Sequence, residues 1–292
     1  MSVSFCGLEL AHPVINGSGT FDAVAAERAF GPVVREEFPF AAYVSKTITL
    51  EPRAGNPPPR LWEAAGGLVN SIGLANKGLD GYLREDLPAL SGLRTRGGTV
   101  AVPLITNVMG STAAELVALV EACDERQEIA ALELNVSCPN VKTGLDIGAD
   151  PDSLRAVVAE VRPRTGKPLI VKLTPNTADV ASCAQAAQEA GADAVSLINT
   201  LRAMALAPAG PPGRPWLGAR TGGLSGPAIR AIALAQVAAV AERVAIPVVG
   251  MGGVQSSRHA RDLLDVGATL VAVGTESFRD PVAGARVAAG LA

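Results

Sequence analysis

Short apolar segments alternate along the chain with longer segments of helical spacing, and this alternation most constrains the fold. The apolar segments are Pro13–Asn16, Ala42–Lys46, Val102–Asn107, Ala131–Asn135, Leu169–Leu173, Ala194–Ile198, Pro247–Gly250 and Leu270–Val273. The candidate helices are Ser111–Cys123, Asp152–Val161, Ala178–Ala190, Pro227–Val240 and Ser256–Leu264. Segments that are apolar on both faces are typical of parallel strands buried beneath helices. Eight such strands predict an α/β fold, a (β/α)8 TIM barrel.

Helix boundaries and chain ends refine this prediction. Ser256 and Asp152 are candidate N-caps, and Gly191 and Gly267 are candidate helix stops. Val3–Phe5 and Leu8–Leu10 predict a hairpin that closes the N-terminal end of the barrel. The length of 292 residues fits one barrel and no linker divides it, so we expect residues 1–292 to form a single domain.

Two long connections, at 47–76 and 200–227, are rich in Pro and Gly and follow strand ends. Loops of this length without periodicity are usually functional or disordered. Because active sites of TIM barrels lie on the face where the strands end, we expect both loops over that C-terminal face.

Composition and charge limit the classes of function. Hydrophobic residues make up 48% of the chain and charged residues 18%, which is typical of a globular protein. The net charge is −3 and no Lys/Arg block occurs, which disfavours nucleic-acid binding. No apolar stretch reaches the length of a membrane span and no signal-peptide pattern precedes the barrel, so we expect a cytoplasmic location. With only two histidines, a histidine-rich metal site is not expected.

Glycines follow the last two predicted strands. Gly250-Met251-Gly252-Gly253 follows the seventh strand, and Gly274-Thr275 follows the eighth. Barrels commonly hold a phosphate group at this place through backbone N–H groups, and glycine allows the backbone to approach closely. Each pair alone is compatible with an ordinary tight turn, but two pairs together favour a phosphate-bearing ligand.

Polar side chains end several of the predicted strands. The lysines are Lys46 and Lys172, and the asparagines are Asn16, Asn107, Asn135 and Asn199. Strands often end in polar residues, but six amide and ammonium groups at one mouth favour a polar ligand with carbonyl and ring-nitrogen groups. A flavin and a cyclic imide both meet this description, and a lysine near the electron-rich end of a flavin would stabilise its reduced form.

Cys138 differs from the other cysteines because it lies three residues past a strand end, among polar neighbours and before Pro139. A thiol in that position can act as a general base. The spacing alone leaves this role and that of a small buried hydrophobe equally open. Cys6, Cys123 and Cys183 fit the buried-hydrophobe interpretation.

The motifs resemble those of class 1B dihydroorotate dehydrogenases, specifically the catalytic subunit, over nearly the whole chain. The matching segments are Ser45–Thr47, Glu51–Pro57, Asn70–Leu74, Leu132–Gly144, Val171–Asn176, Ile198–Thr200, Thr221–Pro227 and Gly250–Val254. Their order and spacing are also those of the family. The resemblance implies an FMN enzyme that oxidises (S)-dihydroorotate to orotate in de novo pyrimidine (UMP) biosynthesis.

The resemblance also implies roles for individual residues. FMN would be held by Ser18, Lys46, Thr47, Asn107, Asn135, Lys172, Ile198, Gly226, Gly252, Gly253, Gly274 and Thr275, with its phosphate on the last four. The substrate would be held by Lys46, Asn70, Ser71, Ile72, Gly73, Leu74, Asn135, Asn199 and Thr200. The catalytic residues would be Cys138, which removes the C5 proton while C6 delivers hydride to flavin N5, and Lys46.

The subclass decides the electron acceptor. Class 1B resemblance implies a homodimer core within a heterotetramer, whose second subunit carries FAD and a [2Fe–2S] cluster and passes electrons to NAD+. The cysteines of this chain form no cluster motif, so the iron–sulfur group would belong to the partner. A class 1A homodimer that uses fumarate, a dihydropyrimidine dehydrogenase-like flavoprotein and a non-catalytic barrel that binds a phosphorylated ligand are the alternatives.

Three places depart from the family pattern. Lys77 stands where proline is usual, Leu145 stands where a second glycine is common, and the 201–217 stretch, with Met204, Trp216 and many prolines, has no clear match to the family's motifs. These departures leave the details of the loops open, including the surface that meets a partner.

Overall fold

A computed structural model describes residues 2–95, 98, 100–136 and 147–291 of the chain. The strands are β1 (Val3–Phe5), β2 (Leu8–Leu10), β3 (Val14–Asn16), β4 (Tyr43–Val44), β5 (Leu61–Ala64), β6 (Gly67–Asn70), β7 (Leu104–Val108), β8 (Ile129–Asn135), β9 (Leu169–Lys172), β10 (Ala194–Leu197), β11 (Leu201–Ala203), β12 (Gly222–Ser225), β13 (Val248–Met251) and β14 (Leu270–Val273). The α-helices are α1 (Ala23–Phe30), α2 (Val33–Glu36), α3 (Gly78–Gly81), α4 (Leu87–Leu90), α5 (Ala113–Asp124), α6 (Pro151–Val161), α7 (Val180–Glu189), α8 (Arg230–Arg243), α9 (Ser257–Asp265) and α10 (Ala283–Ala289).

Eight parallel strands form a nearly closed barrel in the order β3-β14-β13-β10-β9-β8-β7-β4, with helices between successive strands. The (β/α)8 fold predicted from the sequence is therefore confirmed. Every predicted strand coincides with one of these eight, and its ends differ from the observed ends by two residues at most.

The two faces of the barrel strands bury different side chains. One buried cluster faces the helices and contains, for example, Leu132 and Leu134 of β8. The other fills the barrel interior, where Ile105, Ala131 and Ile170 belong to neighbouring strands. This alternation follows from the two-residue period of a strand and decides which side chains enter the mouth of the barrel.

The N-terminal hairpin closes the bottom of this interior. β1 pairs antiparallel with β2, and the turn residues Cys6 and Gly7 have φ of +48° and +80°. Two positive φ values in a two-residue turn suit the twist of a hairpin. Phe5 and Leu10 are each 1% exposed and belong to the interior cluster, as the sequence predicted.

No strand ladder joins β3 and β4, the first and last strands in the order of the barrel. A side chain closes this gap, which we call the seam. The Asn16 amide donates from Nδ2 to the Val44 carbonyl at 2.8 Å, and the Val44 N–H donates to Asn16 Oδ1 at 2.8 Å. The Ala41 N–H adds one backbone bond to the Val14 carbonyl. The expectation that Asn16 points into the mouth is wrong. Asn16 lies two positions after Val14 in β3, so its side chain is on the same, outward-facing side of the strand.

Helix ends follow local capping chemistry. Ser256 caps α9 by accepting from the His259 N–H, and Gly191 and Gly267 follow their helices with φ of +96° and +106°, as predicted. The prediction of Asp152 as an N-cap is wrong. Asp150 caps α6 instead, because Pro151 takes the first helical position and the cap precedes it.

The two long connections contain strands that the sequence did not reveal. They form an antiparallel sheet in the order β11-β12-β6-β5. In the 201–217 stretch, Trp216 donates to the Leu61 carbonyl at 3.0 Å, and its ring lies 5.3 Å from that of Trp62. Since β11 and β12 lie between barrel strands β10 and β13, this sheet extends from the C-terminal end of the barrel.

None of the helices in the described part of the chain is long and apolar enough to cross a membrane.

We predict that Asn16→Ala destabilises the chain by about 2–4 kcal/mol, because it removes two buried hydrogen bonds and leaves backbone groups of Val44 without partners. Urea unfolding measures this change. Ser4→Ala, at an exposed position of β1, is the control and should change stability by less than about 0.5 kcal/mol. Equal stabilities of the two variants would show that Asn16 does not hold the seam.

Candidate active site

The interior of the barrel changes from apolar to polar at the ends of four neighbouring strands. The apolar interior residues Ile105, Ala131, Ile170 and Ala194 are followed two positions later by Asn107, Glu133, Lys172 and Ser196. Because strand side chains alternate, these four polar residues also face inward. Each is at most 6% exposed, so they form a buried polar layer across the barrel.

Glu133 connects this layer through two hydrogen bonds. Its Oε2 accepts from Asn107 Nδ2 at 2.5 Å, and its Oε1 accepts from Ser196 Oγ at 2.6 Å. Sequence reasoning missed both Glu133 and Ser196, because it considered mainly the residues that end each strand. The alternation Ala131-x-Glu133-x-Asn135 carries the signal that could have found Glu133.

One atom of the layer lacks a partner. Asn107 is 0% exposed, and its Oδ1 has no hydrogen-bond partner among the described residues. Buried polar groups are paired in most proteins, so an orphaned acceptor in the same layer as a buried lysine, Lys172, indicates a place for a polar ligand.

A second group of predicted residues lies beside this layer. Ser18 donates from Oγ to the Ser45 carbonyl at 2.8 Å, and its Oγ lies 3.4 Å from Thr47 Oγ1. Asn135 donates to the same Thr47 oxygen at 3.4 Å. Lys46 is exposed between the buried Ser45 and Thr47, so its ammonium is accessible to a ligand.

Gly253 and Thr275, predicted to bind the phosphate, meet Gly226, which was predicted to contact the rest of the cofactor. A Cβ on Gly253 would lie 2.9 Å from the Gly226 carbonyl oxygen, and a Cβ on Gly226 would lie 3.5 Å from Thr275 Cγ2. Thr275 donates to Ser225 Oγ at 2.8 Å. Three chain segments therefore meet here, and the approach of Gly253 to Gly226 leaves no room for a Cβ, which suits a backbone cradle for a phosphate group.

The remaining predicted cofactor positions adjoin this cradle. A Cβ on Gly252 would lie 3.5 Å from Ile198 Cγ1, and Ile198 is 3% exposed. Gly274 precedes Thr275, and a Cβ there would lie 3.6 Å from Thr20 Cγ2.

The predicted substrate loop at 70–74 is held by residues of the same connection. Asn56 donates from Nδ2 to both the carbonyl and the hydroxyl of Ser71, at 3.2 and 2.8 Å, and its N–H donates to the Ile72 carbonyl at 3.0 Å. Gly73 and Leu74 follow with φ of +72° and +56°. Sequence analysis did not assign Asn56, although it lies in one of the motifs that carry the resemblance.

β12 brings this loop against the other predicted substrate residues. A Cβ on Gly222 would lie 2.2 Å from the Asn70 carbonyl oxygen, and a Cβ on Gly223 would lie 1.9 Å from Thr200 Oγ1. The Thr200 N–H donates to Asn199 Oδ1 at 2.8 Å. Asn70 and Thr200 thus pack against the glycines of β12, and Asn199 is hydrogen-bonded to Thr200.

Cys138 lies outside the described residues, so its role remains a prediction. The other three cysteines lack the environment of an activated thiol. Burial raises the pKa of Cys6 to about 11 and that of Cys123 to about 12, and it also raises the pKa of Cys183. A raised pKa keeps a thiol protonated at neutral pH, which agrees with a packing role for these three.

The family resemblance implies that this cradle holds FMN, and on that basis we predict that Gly253→Ala weakens FMN binding by at least about tenfold. Its Cβ would lie 2.8 Å from Arg230 Cβ and would separate the Gly226 and Gly253 segments. Fluorescence titration of the purified chain with FMN measures the affinity.

Gly7→Ala is the matched control, because Gly7 has a similar φ of +80° but no atom within 4 Å of the added Cβ. It imposes comparable backbone strain at the far end of the barrel and should bind FMN as the parent does. Equal FMN affinities of the Gly253→Ala and Gly7→Ala variants would contradict the assignment of the cradle.

Comparison with known proteins shows which family this chain is similar to. The family model described as Dihydroorotate dehydrogenase matches residues 1–292. A protein of Geotalea daltonii named dihydroorotate dehydrogenase B (NAD(+)), catalytic subunit, is 44% identical over 292 residues, which cover 100% of this chain and 92% of that protein. A protein of the same name from Geobacter metallireducens is 43% identical over 290 residues, which cover 99% of this chain and 91% of that protein.

Proposed function

We propose, because the chain belongs to the dihydroorotate dehydrogenase family, that it oxidises (S)-dihydroorotate to orotate with FMN in pyrimidine biosynthesis. One observation of the structure carries this proposal. The glycine cradle and the buried polar layer lie at the same end of one barrel, so a ligand with a phosphate at one end and a polar ring at the other fits both. We propose a single domain over residues 1–292 and a cytoplasmic location.

The described residues fit FMN in charge and in hydrogen-bonding capacity. Gly226, Gly252, Gly253, Gly274 and Thr275 would hold the phosphate through backbone N–H groups. Asn107 has an acceptor to offer to the ring, and Ser18, Lys46, Thr47, Asn135 and Ile198 would complete the site.

Lys172 would supply the positive charge of the site. It is 6% exposed, so its ammonium interacts with little screening by water. When bound, FMN supplies the electron acceptor for the hydride that leaves C6 of the substrate. An ammonium held near the ring would offset the negative charge that reduction adds, which favours the reaction.

The substrate would be held by the groups that meet on β12 and by the exposed lysine. Dihydroorotate has a carboxylate and a cyclic imide, which need both donors and acceptors. Asn135, Asn199, Thr200 and the 70–74 loop offer amide, hydroxyl and backbone groups, and Lys46 offers an ammonium for the carboxylate. Cys138 would accept the C5 proton, and Lys46 would assist by orienting the substrate.

The test of this proposal begins with colour and continues with turnover. The purified chain should be yellow, should release FMN on denaturation and should form orotate from dihydroorotate with an artificial electron acceptor. A colourless chain that cannot be reconstituted with FMN would contradict the proposal. Turnover of dihydrouracil but not dihydroorotate would assign the chain to dihydropyrimidine chemistry instead.

We predict that Cys138→Ala retains FMN but reduces it with dihydroorotate at least about a hundredfold more slowly at neutral pH, because the general base is lost. Stopped-flow absorbance of the bound flavin measures this rate. Cys138→Ser should retain some activity that rises with pH, because a hydroxyl is a poorer base than a thiol at neutral pH. Cys6→Ala, at the opposite end of the barrel, is the control and should react as the parent does. A parental rate in Cys138→Ala would refute the role of Cys138.

We also propose that the electrons leave through a second subunit to NAD+, as the names of the relatives suggest for those proteins. That partner would carry FAD and a [2Fe–2S] cluster, and two copies of this chain would form the core of a heterotetramer. The described residues include no group of three His, Cys, Asp or Glu side chains that could hold a metal, which is compatible with a cluster on the partner.

The acceptor is tested with the chain alone and with an FAD- and cluster-bearing reductase co-purified from the same source. We predict that NAD+ is reduced only in the presence of the partner and that fumarate supports little turnover. Efficient fumarate reduction by the lone chain, with no gain from the partner, would replace this assignment by a class 1A enzyme.

A further inference from the structure

Glu133 has no role in the function proposed above, although it is the buried carboxylate of the polar layer. It is 4% exposed and faces the barrel interior from β8. Burying a carboxylate costs free energy unless it is hydrogen-bonded, whereas an apolar residue would fill the interior at no such cost. A function for Glu133 must therefore lie in what its hydrogen bonds do.

The two bonds of Glu133 are directional. Both carboxylate oxygens of Glu133 accept hydrogen bonds, and the side of the Asn107 amide that faces Oε2 at 2.5 Å is the NH2 group. Ser196 donates its hydroxyl to the other carboxylate oxygen at 2.6 Å and so fixes the carboxylate from β10. The carboxylate thus determines which way the Asn107 amide is turned.

The consequence appears at the other atom of the amide. With Nδ2 bound to Glu133, Asn107 Oδ1 is the atom left over, and it has no partner among the described residues. Asn107 is 0% exposed, so water does not readily satisfy this oxygen. An amide turned the other way would present two N–H donors at the same place.

We propose that Glu133 is a positioning residue that fixes Asn107 with its carboxamide oxygen towards the ligand, where it accepts a hydrogen bond from the imide N–H of the flavin ring. This inference rests on the proposed function, because it requires FMN at the mouth of the barrel. It explains why the asparagine at this position presents an acceptor to the ligand: Glu133 on the neighbouring strand binds the NH2 group of its amide.

Four variants separate this role from simple packing. Glu133→Leu removes the acceptor for Asn107 Nδ2, so the amide is free to turn. Glu133→Gln can keep the amide in place, because its oxygen can face Asn107 while its NH2 donates to Ser196 Oγ. Asn107→Asp opposes two carboxylates, and Asn107→Asp combined with Glu133→Gln restores one donor, one acceptor and one negative charge.

Ser196→Ala is the matched control within the same network. It removes the other hydrogen bond of Glu133 and leaves the bond to Asn107 available. It should therefore disturb packing as much as the other variants without releasing the amide.

The probe is FMN labelled with 15N at the ring imide nitrogen, bound to the full chain and observed by proton–nitrogen NMR without substrate. In the parent chain the imide proton should be protected from exchange with water and shifted by its hydrogen bond. Titration with FMN gives the affinity of each variant in the same preparations. Neither measurement requires turnover.

We expect Glu133→Leu to lose the protected imide proton and to bind FMN about tenfold to a hundredfold more weakly. The reason is that the hydrogen bond to the imide is lost and the Asn107 NH2 group is left without an acceptor. Glu133→Gln and Ser196→Ala should keep the signal and bind within about threefold of the parent. Asn107→Asp should lose the signal, and the double variant should regain it.

An unchanged imide signal in Glu133→Leu, or no recovery in the double variant, would overturn the positioning role while leaving the proposed function intact. If Glu133→Leu does not fold, the comparison between Asn107→Asp and the double variant decides the matter alone. A parent chain that binds no FMN would overturn both this inference and the proposed function, so the two failures are distinguishable.

Discussion

Closure of the barrel by the Asn16 carboxamide is the interaction on which the arrangement of the mouth depends. Its two bonds to the Val44 backbone take the place of a strand ladder between β3 and β4. Once the barrel is closed, the separation of all eight strand ends is fixed. Ser18, which follows β3, then lies 3.4 Å from Thr47, which follows β4, and Thr47 accepts a hydrogen bond from Asn135 on β8. The Asn16 hydrogen bonds therefore help to position residues of the candidate site.

Within the barrel, small side chains beneath the mouth permit a buried polar layer above them. Ala131 and Ala194 leave space in the interior, and Glu133 extends from β8 past β9 to reach Ser196 on β10. Glu133 is paired with Asn107 and Ser196, whereas Asn107 Oδ1 has no hydrogen-bond partner among the described residues. A buried acceptor without a partner indicates where a ligand belongs, and Asn107 Oδ1 lies at the same end of the barrel as the glycine cradle.

The sequence predicted the barrel well because its strands are apolar on both faces and are separated by helices with clear caps and stops. The parity of side chains is harder to judge at strand ends, so Asn16 was expected in the mouth although it faces the seam. The antiparallel sheet of β5, β6, β11 and β12 was not predicted, because its strands are short and its central pair, β6 and β12, is separated by more than a hundred residues. Such pairing depends on tertiary contacts that no local pattern records.

The site was predicted in part for the same reason. Strand-end asparagines and glycine pairs identified Asn107 and Gly253, and the structure brings each into a buried or crowded setting. Glu133 and Asn56 act through other residues of the site, so no motif for ligand contact singles them out. The role of Cys138 comes from family resemblance alone, because it lies outside the described residues.

A crystal structure of the chain with FMN and orotate tests the central claim most directly, namely that the cradle and the polar layer form one flavin site. We expect the phosphate at Gly226, Gly253 and Thr275, and the polar edge of the ring at Asn107 and Lys172, with Asn107 Oδ1 facing a ring N–H. A phosphate bound elsewhere, or a ring whose polar edge points away from Asn107 and Lys172, would contradict it.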